Sequence, residues 1–434
     1  MPARAQSGLV AYVNARLVDP ATGLDAAGAL LTNGETIADV GPGLFQGGVP
    51  SGIEVIDCQG LCLAPGLVDM RVQVREPGEE HKETLRTAGE AAVAGGVTSM
   101  VCLPNTEPVI DDVASVEFVA RRARKNGLAK VYPYAAATKN LEGGELAEMG
   151  LLFEAGALAF TDGVKAIGNA QLMRRALSYA ATFGAMIVQH PEEPSLATGV
   201  MNSGELSTRM GLSGIPAAAE VILLERDIRL VEMTGGRYHA AHVSTAEGVE
   251  VIRRAKARGL PVSCETAPPY FALNELAVGD YRTFAKLSPP LRSEADRQAV
   301  VAGLGDGTID AVASDHAPQD ADSKRVPFAL AEFGGVGLET LLPVTLELVH
   351  NGHLGLLGAL RLVTCAPADI LGLAAGRLKV GAAADLTLFA PDRGWVVDPA
   401  RFRSKSKNTP FDGRPVQGMV MRTVIDGRPV FARG

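Results

Sequence analysis

No run of about 18 uncharged apolar residues occurs anywhere in this sequence, so a membrane-spanning helix is not expected. The opening residues MPARAQSGLVAYVNARLVD also lack the apolar stretch of a secretion signal. A cytoplasmic protein follows as the expectation. Nor is there a surplus of basic charge: 41 Lys and Arg against 49 Asp and Glu give a formal charge of −8. That balance speaks against a nucleic-acid or anionic-membrane surface, although local charges could still meet a small anionic substrate. The one basic cluster, RFRSKSK at 401–407, reads as a solvated loop. The five cysteines, at 58, 62, 102, 264 and 365, form no C-x-x-C pair and lie mostly in apolar, strand-like segments. Reduced core residues are expected, not disulfides or zinc thiolates. There is no internal repeat at solenoid periods and no low-complexity tract.

What is present is the size and texture of a large globular protein. A chain of 434 residues with 47% hydrophobic and 21% charged residues should form one large domain and a smaller one. Between about 63 and 375, short apolar runs alternate with amphipathic stretches, the rhythm of a parallel α/β fold. Strands are expected at 67–75, 97–104, 131–138, 157–162, 185–190, 238–244, 261–268 and 309–315, which makes eight and suggests a TIM-like (β/α)8 barrel over 63–376. Helices are expected at 82–95, stopped by Gly95-Gly96, and at 216–234, with Pro216 in the first turn. The two flanks, 1–62 and 377–434, show short alternating strands, with Asn33-Gly34 and Asp426-Gly427 suited to tight hairpins. Together they should build a small composite β-sandwich.

In such a barrel the functional groups lie at the C-terminal ends of the strands. Polar residues recur there: Arg71, Gln73 and Arg75 on the first strand, Asn105 on the second, Asp162 on the fourth, His190 on the fifth, His242 on the sixth, and Asp315 followed by His316 on the eighth. One strand-end Asp or His is usually a cap or a satisfied core group. A constellation at matching strand ends is much harder to explain that way. His81, His239, His350 and His353 fall outside it and are read as structural or surface residues.

The segments PGLVDMRVQVREPGEEHKET, LPNTEPVID, GVMNSGELSTRMGLSGIPAAAE, AHVSTAEGVE, KLSPPLRSEADRQAVVAGLGDGTIDAVASDHAPQD and GAAADLTLFAPD carry a resemblance over essentially the whole length. The chain resembles the longer bacterial dihydroorotases of the amidohydrolase superfamily. That resemblance implies zinc-bound hydroxide opening the cyclic amide of dihydroorotate, with an H-x-H pair on the first strand whose rings share one face. Here those positions read Arg71-Val72-Gln73. A guanidinium stays protonated and offers only donors, so Arg71 is no ligand, and the Gln73 carbonyl is a poor one for zinc. The usual Asp-Asp-Gly run reads TDGV at 161–164, and either Asp162 or the position of Gly163 matches the bridging ligand. Ser288 stands where the family has Asn, Gln319 where it has His, and Pro269 and Tyr270 where a His-His pair often follows.

By the same resemblance, His190 and His242 match ligands of the second metal, Asp315 the ligand and general base, and Arg75, Asn105 and the Gln319 position the groups around the substrate carboxylate. With Asp162 these form a remnant site, expected to hold no zinc or only weakly bound zinc. The implied function is a dihydroorotase homologue of pyrimidine biosynthesis, impaired or inactive as a catalyst and serving as a structural partner of aspartate transcarbamoylase. A homodimer is the default assembly. The alternative is an active dihydroorotase or related cyclic-amide hydrolase using the remaining ligands around one zinc. Arg71 is expected to take over the metal's electrostatic task by pairing with Asp315, and with Asp162 as well.

Overall fold

The structure, a computed structural model, describes residues 8–433. Five strands open the chain: β1 (Leu9–Asp19), β2 (Leu24–Asn33), β3 (Thr36–Gly41), β4 (Glu54–Asp57) and β5 (Cys62–Pro65). The barrel strands follow as β6 (Leu67–Val72), β7 (Val97–Cys102), β8 (Lys130–Pro133) continued by β9 (Ala135–Ala136), β10 (Phe160–Thr161) and β11 (Met186–Gln189). A short excursion, β12 (Met201–Asn202) paired with β13 (Gly214–Ile215), precedes β14 (Arg237–Ala240), β15 (Val262–Thr266) and β16 (Ala311–Val312). The chain closes with β17 (Leu386–Val396), β18 (Pro415–Ile425) and β19 (Arg428–Ala432).

Barrel neighbours pair in parallel in chain order, and a bridge from Val72 to His316, with Gln73 N donating to His316 O at 2.8 Å, closes the ring. Each of the eight expected strands is present, but most end early. The reason lies in the residues just past the ladders: Arg75, His242 and Asp315 take φ of +59°, +37° and +48°, turning the chain out of extended conformation and over the barrel mouth. Val68, Met70, Val101, Tyr134, Val188, Ala241 and Ala313 fill the interior beneath. The surrounding helices start and stop where the sequence suggests, with small shifts. Leu85–Ala94 is capped by Thr84 through a reciprocal bond with Thr87 and halts at Gly95, where a side chain would strike the Leu338 carbonyl. Ala218–Thr234 begins after Pro216 rather than around it and ends at Gly235, φ +66°.

The strands from both termini join in one sheet, β19-β18-β17-β5-β1-β2-β3, with β4 on the flank of β1. It curls back on itself into the sandwich: Ile37 N donates to Ala382 O at 2.9 Å and Ala384 N to Glu35 O at 2.8 Å, around a core of Tyr12, Leu30, Ile37, Leu63, Leu386 and Val424. The expected boundary at 62/63 lies within β5. Asp426 and Gly427, at φ +48° and +70°, form the expected hairpin turn. At the other hairpin Asn33 pairs with Thr36, so the turn is Gly34-Glu35, one residue later than read from the sequence, with glycine supplying the positive φ at its first position. All five cysteines are buried and unpaired. No helix among the described residues is long and apolar enough to cross a membrane.

Candidate functional site

Side chains from strands one, two, five, six and eight meet at the barrel mouth in a cavity of about 410 Å³, lined by Arg71, Gln73, Arg75, Asn105, His190, His242, Ser288, Asp315 and Gln319 together with Glu79, Lys82 and Phe333. Arg71 stands at its floor, 1% exposed, and the first-strand backbone aims its guanidinium across the barrel. Its Nε donates to Asp315 Oδ1 at 3.0 Å and its Nη2 to Gly163 O at 3.1 Å.

From that ion pair a chain of polar contacts runs on. Asp315 Oδ2 lies 3.4 Å from His242 Nδ1, and His242 Nε2 is 2.7 Å from His190 Nδ1. His190 Nε2 faces Glu192 Oε2 at 3.3 Å, with Ser288 Oγ within 3.4 Å of both, and Arg292 Nη2 lies 3.8 Å from the other Glu192 oxygen. A fixed cation therefore stands at each end. Burial and the nearby Arg71 charge push His242 down to about 4, so its ring is neutral at pH 7. Burial opposes ionisation of Asp315, but the facing His242 and Arg71 nitrogens outweigh it and hold the carboxyl below its ordinary range. With His242 neutral, Arg71 is the lasting positive partner.

Arg75 lines the cavity but is already engaged, donating from Nη1 to Glu79 at 2.7 Å and from Nε to Pro318 O at 3.1 Å. Asn105 Nδ2 donates to Gln73 Oε1 at 3.1 Å. Gln319 donates from Nε2 to Phe333 O at 2.8 Å. Asp162 departs from expectation. Its carboxylate accepts from Thr138 N at 2.9 Å and Thr138 Oγ1 at 2.6 Å, so it faces the third strand instead of joining Arg71, which takes the next residue's carbonyl instead. Burial raises its pKa.

Glu192 and Arg292 were not picked out from sequence; their signals were the position two residues after His190 and the PPLR run after Ser288. Glu79 and Lys82 lie in the non-helical turns after Arg75, where no periodic pattern marks them. His81, His350 and His353 are exposed, and His239 is buried in the barrel between Ser263 and Glu265. The 401–407 segment is not a freely solvated loop. Phe402, Ser404 and Ser406 are buried, and Ser404 Oγ and Lys405 N donate to Glu83, which also faces His316 Nε2 at 3.4 Å.

A dihydroorotase from Anaplasma phagocytophilum is 46% identical over 426 residues, covering 97% of this chain and 95% of its own. The chain belongs to the dihydroorotase family. The family described as dihydro-orotase-like matches residues 60–248. A dihydroorotase from Pelobacter propionicus is 47% identical over 421 residues, covering 97% of this chain and 99% of its own. Among solved structures, an L-hydantoinase from Arthrobacter aurescens superimposes with a TM-score of 0.87 at 26% identity, covering 98% of this chain and 96% of that one. A dihydropyrimidinase from Brevibacillus agri, at 22% identity and a TM-score of 0.80, shares the barrel-and-sandwich fold. In this dihydroorotase-family chain, no group of three or more His, Cys, Asp or Glu side chains among the described residues is disposed to hold a metal ion.

Proposed function

We propose that this chain is a dihydroorotase homologue of pyrimidine biosynthesis whose ring-opening hydrolysis is impaired or lost, and that it acts as a cytoplasmic, homodimeric structural partner of aspartate transcarbamoylase. The observation that carries the catalytic half is the Arg71–Asp315 ion pair, 3.0 Å between Nε and Oδ1. The family's zinc needs deprotonated nitrogen or oxygen donors with free lone pairs. Here Asp315 is held by a guanidinium, His242 and His190 turn ring nitrogens on each other at 2.7 Å, and Asp162 is committed to Thr138. These residues do not fit the metal.

The same pairing weakens Asp315 as a base. A general base works best with a pKa near the operating pH, whereas Asp315 is held below even the ordinary carboxylate range. The partner half of the proposal rests on the family resemblance and on a barrel that keeps its architecture without the H-x-H pair. A second reading, an active dihydroorotase or related cyclic-amide hydrolase with one zinc, is favoured by the names of the relatives above and by the gathering of His190, His242, Asp315, Arg75 and Asn105 in one cavity.

Metal analysis of the purified protein, coupled to a dihydroorotate hydrolysis assay, separates the two. The proposal expects well under one zinc per chain after dialysis against a mild chelator, and little or no turnover. Stoichiometric zinc with turnover establishes the second reading instead. Co-elution with the aspartate transcarbamoylase of the same organism tests the partner, and separate elution at micromolar concentrations counts against it.

A further inference from the structure

The basic segment 401–407 takes no part in the barrel mouth, since none of its side chains lines that cavity. Its burial alternates: Phe402, Ser404 and Ser406 are buried, while Arg401, Arg403 and Lys405 are exposed. The backbone between them is pinned, with Arg403 N and Ser404 N donating to Glu339 Oε1 at 2.6 and 3.2 Å. Beside this strip the sandwich adds two more exposed guanidiniums. Arg393 of β17 places Nη1 3.7 Å from Met421 Sδ, and Arg433, just past β19, donates from its backbone N to Met421 O at 2.8 Å. They stand on either side of β18.

These four arginines crowd one another without a paired acid. Burial of part of the side chain, and then the fields of Arg401, Arg393 and Arg403, hold the Arg433 guanidinium below its ordinary range despite nearby Glu339. No side-chain carboxylate among the described residues lies within salt-bridge distance of any of the four guanidiniums. The acids close by in the chain are engaged elsewhere or only partly charged. Asp392 faces His350 at 3.7 Å, Asp398 Oδ1 accepts from Ala400 N at 3.0 Å, and burial pushes Glu339 up to about 7. On a chain with a formal charge of −8 this is a local inversion of sign. Like charges held together repel, and an anionic occupant relieves that repulsion. Arg433 is already oriented for one. Its Nε donates to Val420 O at 3.1 Å and its guanidinium lies 5.7 Å from the centre of the Phe431 ring, which leaves both Nη groups for a carboxylate.

We propose that Arg393, Arg401, Arg403 and Arg433 form a docking surface for an acidic segment of a partner protein, each guanidinium taking a side-chain carboxylate. The planar fork of a guanidinium matches a carboxylate, and its weak hydration suits it to being covered in an interface. The extent of the patch favours a short acidic segment over a long polyanion. Its field is screened beyond a Debye length of about 8 Å at physiological salt. A DNA duplex or an anionic membrane reaches past that distance and meets the acidic remainder of the surface. Docking here is independent of whether hydrolysis is lost at the barrel mouth.

The test is fluorescence anisotropy at low ionic strength and neutral pH, with a dye-labelled octaglutamate peptide as the probe. Wild type should bind it saturably and should not bind octaglutamine carrying the same dye. Arg401→Gln with Arg403→Gln should weaken binding about fivefold or more, the worth of two exposed ion pairs. Arg393→Gln, which leaves the 401–407 strip intact, should weaken it about twofold. Arg121→Gln with Arg124→Gln removes the same charge from the exposed face of the helix Val113–Asn126 and should leave binding unchanged. Thermal unfolding shows whether each variant is folded, and Arg393→Gln carries the test if the strip variant is not. Absence of saturable binding by folded wild type, or equal weakening by the Arg121 and Arg124 pair, overturns the proposal. Tighter binding of a short DNA duplex or of phosphatidylserine vesicles than of octaglutamate overturns it as well.

Discussion

Replacing Arg71 by Met removes a cation that is 1% exposed from a carboxylate that is 15% exposed and 3.0 Å away. Methionine roughly fills the space of the aliphatic stem, so the change falls mainly on electrostatics and on the bond to Gly163 O. Breaking a buried pair on one side typically costs about 3–5 kcal/mol. Two features of the site reduce this: Asp315 borders a cavity that water can enter, and His242 Nδ1, 3.4 Å from Oδ2, can take up a proton once Arg71 is gone. The expected loss is about 2–4 kcal/mol. Asp315→Asn, which strands the guanidinium, should cost a similar amount. In the double variant neither charge is stranded, and the loss should fall short of the summed single losses by about 2 kcal/mol or more. Equilibrium urea unfolding of the four proteins at pH 7.5 and one fixed protein concentration measures this, with subunit association held constant. Additive losses, or single losses each below about 1 kcal/mol, would refute the view of Arg71 as the compensating charge.

Restoring the histidines alone, Arg71→His with Gln73→His, should leave hydrolysis roughly 100-fold or more below an active dihydroorotase assayed in parallel, because Ser288, Gln319 and the Thr138-bound Asp162 are unchanged. Burial pushes Asp69 up to about 7, so the folded chain holds its proton more tightly than the unfolded chain does. Its contribution to stability is therefore full at acid pH and is lost as pH rises from about 4 through about 7. Asp69→Asn, whose oxygen can still accept from Ser314 N and Arg71 N, should match wild type near pH 4 and exceed it by about 1–3 kcal/mol at pH 8. Parallel pH profiles of the two would contradict this. Glu83→Gln weakens the charge-assisted bonds to Ser404 and Lys405, so it should cost about 1–3 kcal/mol and speed hydrogen exchange across 402–409; unchanged exchange there would show that Glu83 does not anchor the segment.

The barrel strands could be placed from sequence because each is a short apolar run bounded by polar or glycine-rich turns. The direction of a side chain beyond a strand end was less accessible. Asp162 lies one residue past the two-residue strand β10, where Thr138 from the neighbouring strand captures it, and that contact spans 24 positions in the chain. Glu192 follows His190 by only two residues, but Arg292 reaches Glu192 from a separate loop a hundred positions on, so no local period relates it to the site. The 401–407 segment was misread for a different reason. Its charged residues alternate with Phe402, Ser404 and Ser406, a spacing of two that marks an extended strip with one face buried. Arg71 was the most informative position: a guanidinium on an inward strand position had to find a carboxylate, and Asp315 at the end of the eighth strand is the one it meets.

An anomalous-diffraction map at the zinc edge, from crystals grown with excess zinc, tests the central claim most directly. The account predicts no peak among His190, His242 and Asp315, and Arg71 Nε within hydrogen-bond distance of Asp315. A zinc peak held by those three side chains, with Arg71 displaced, would contradict it.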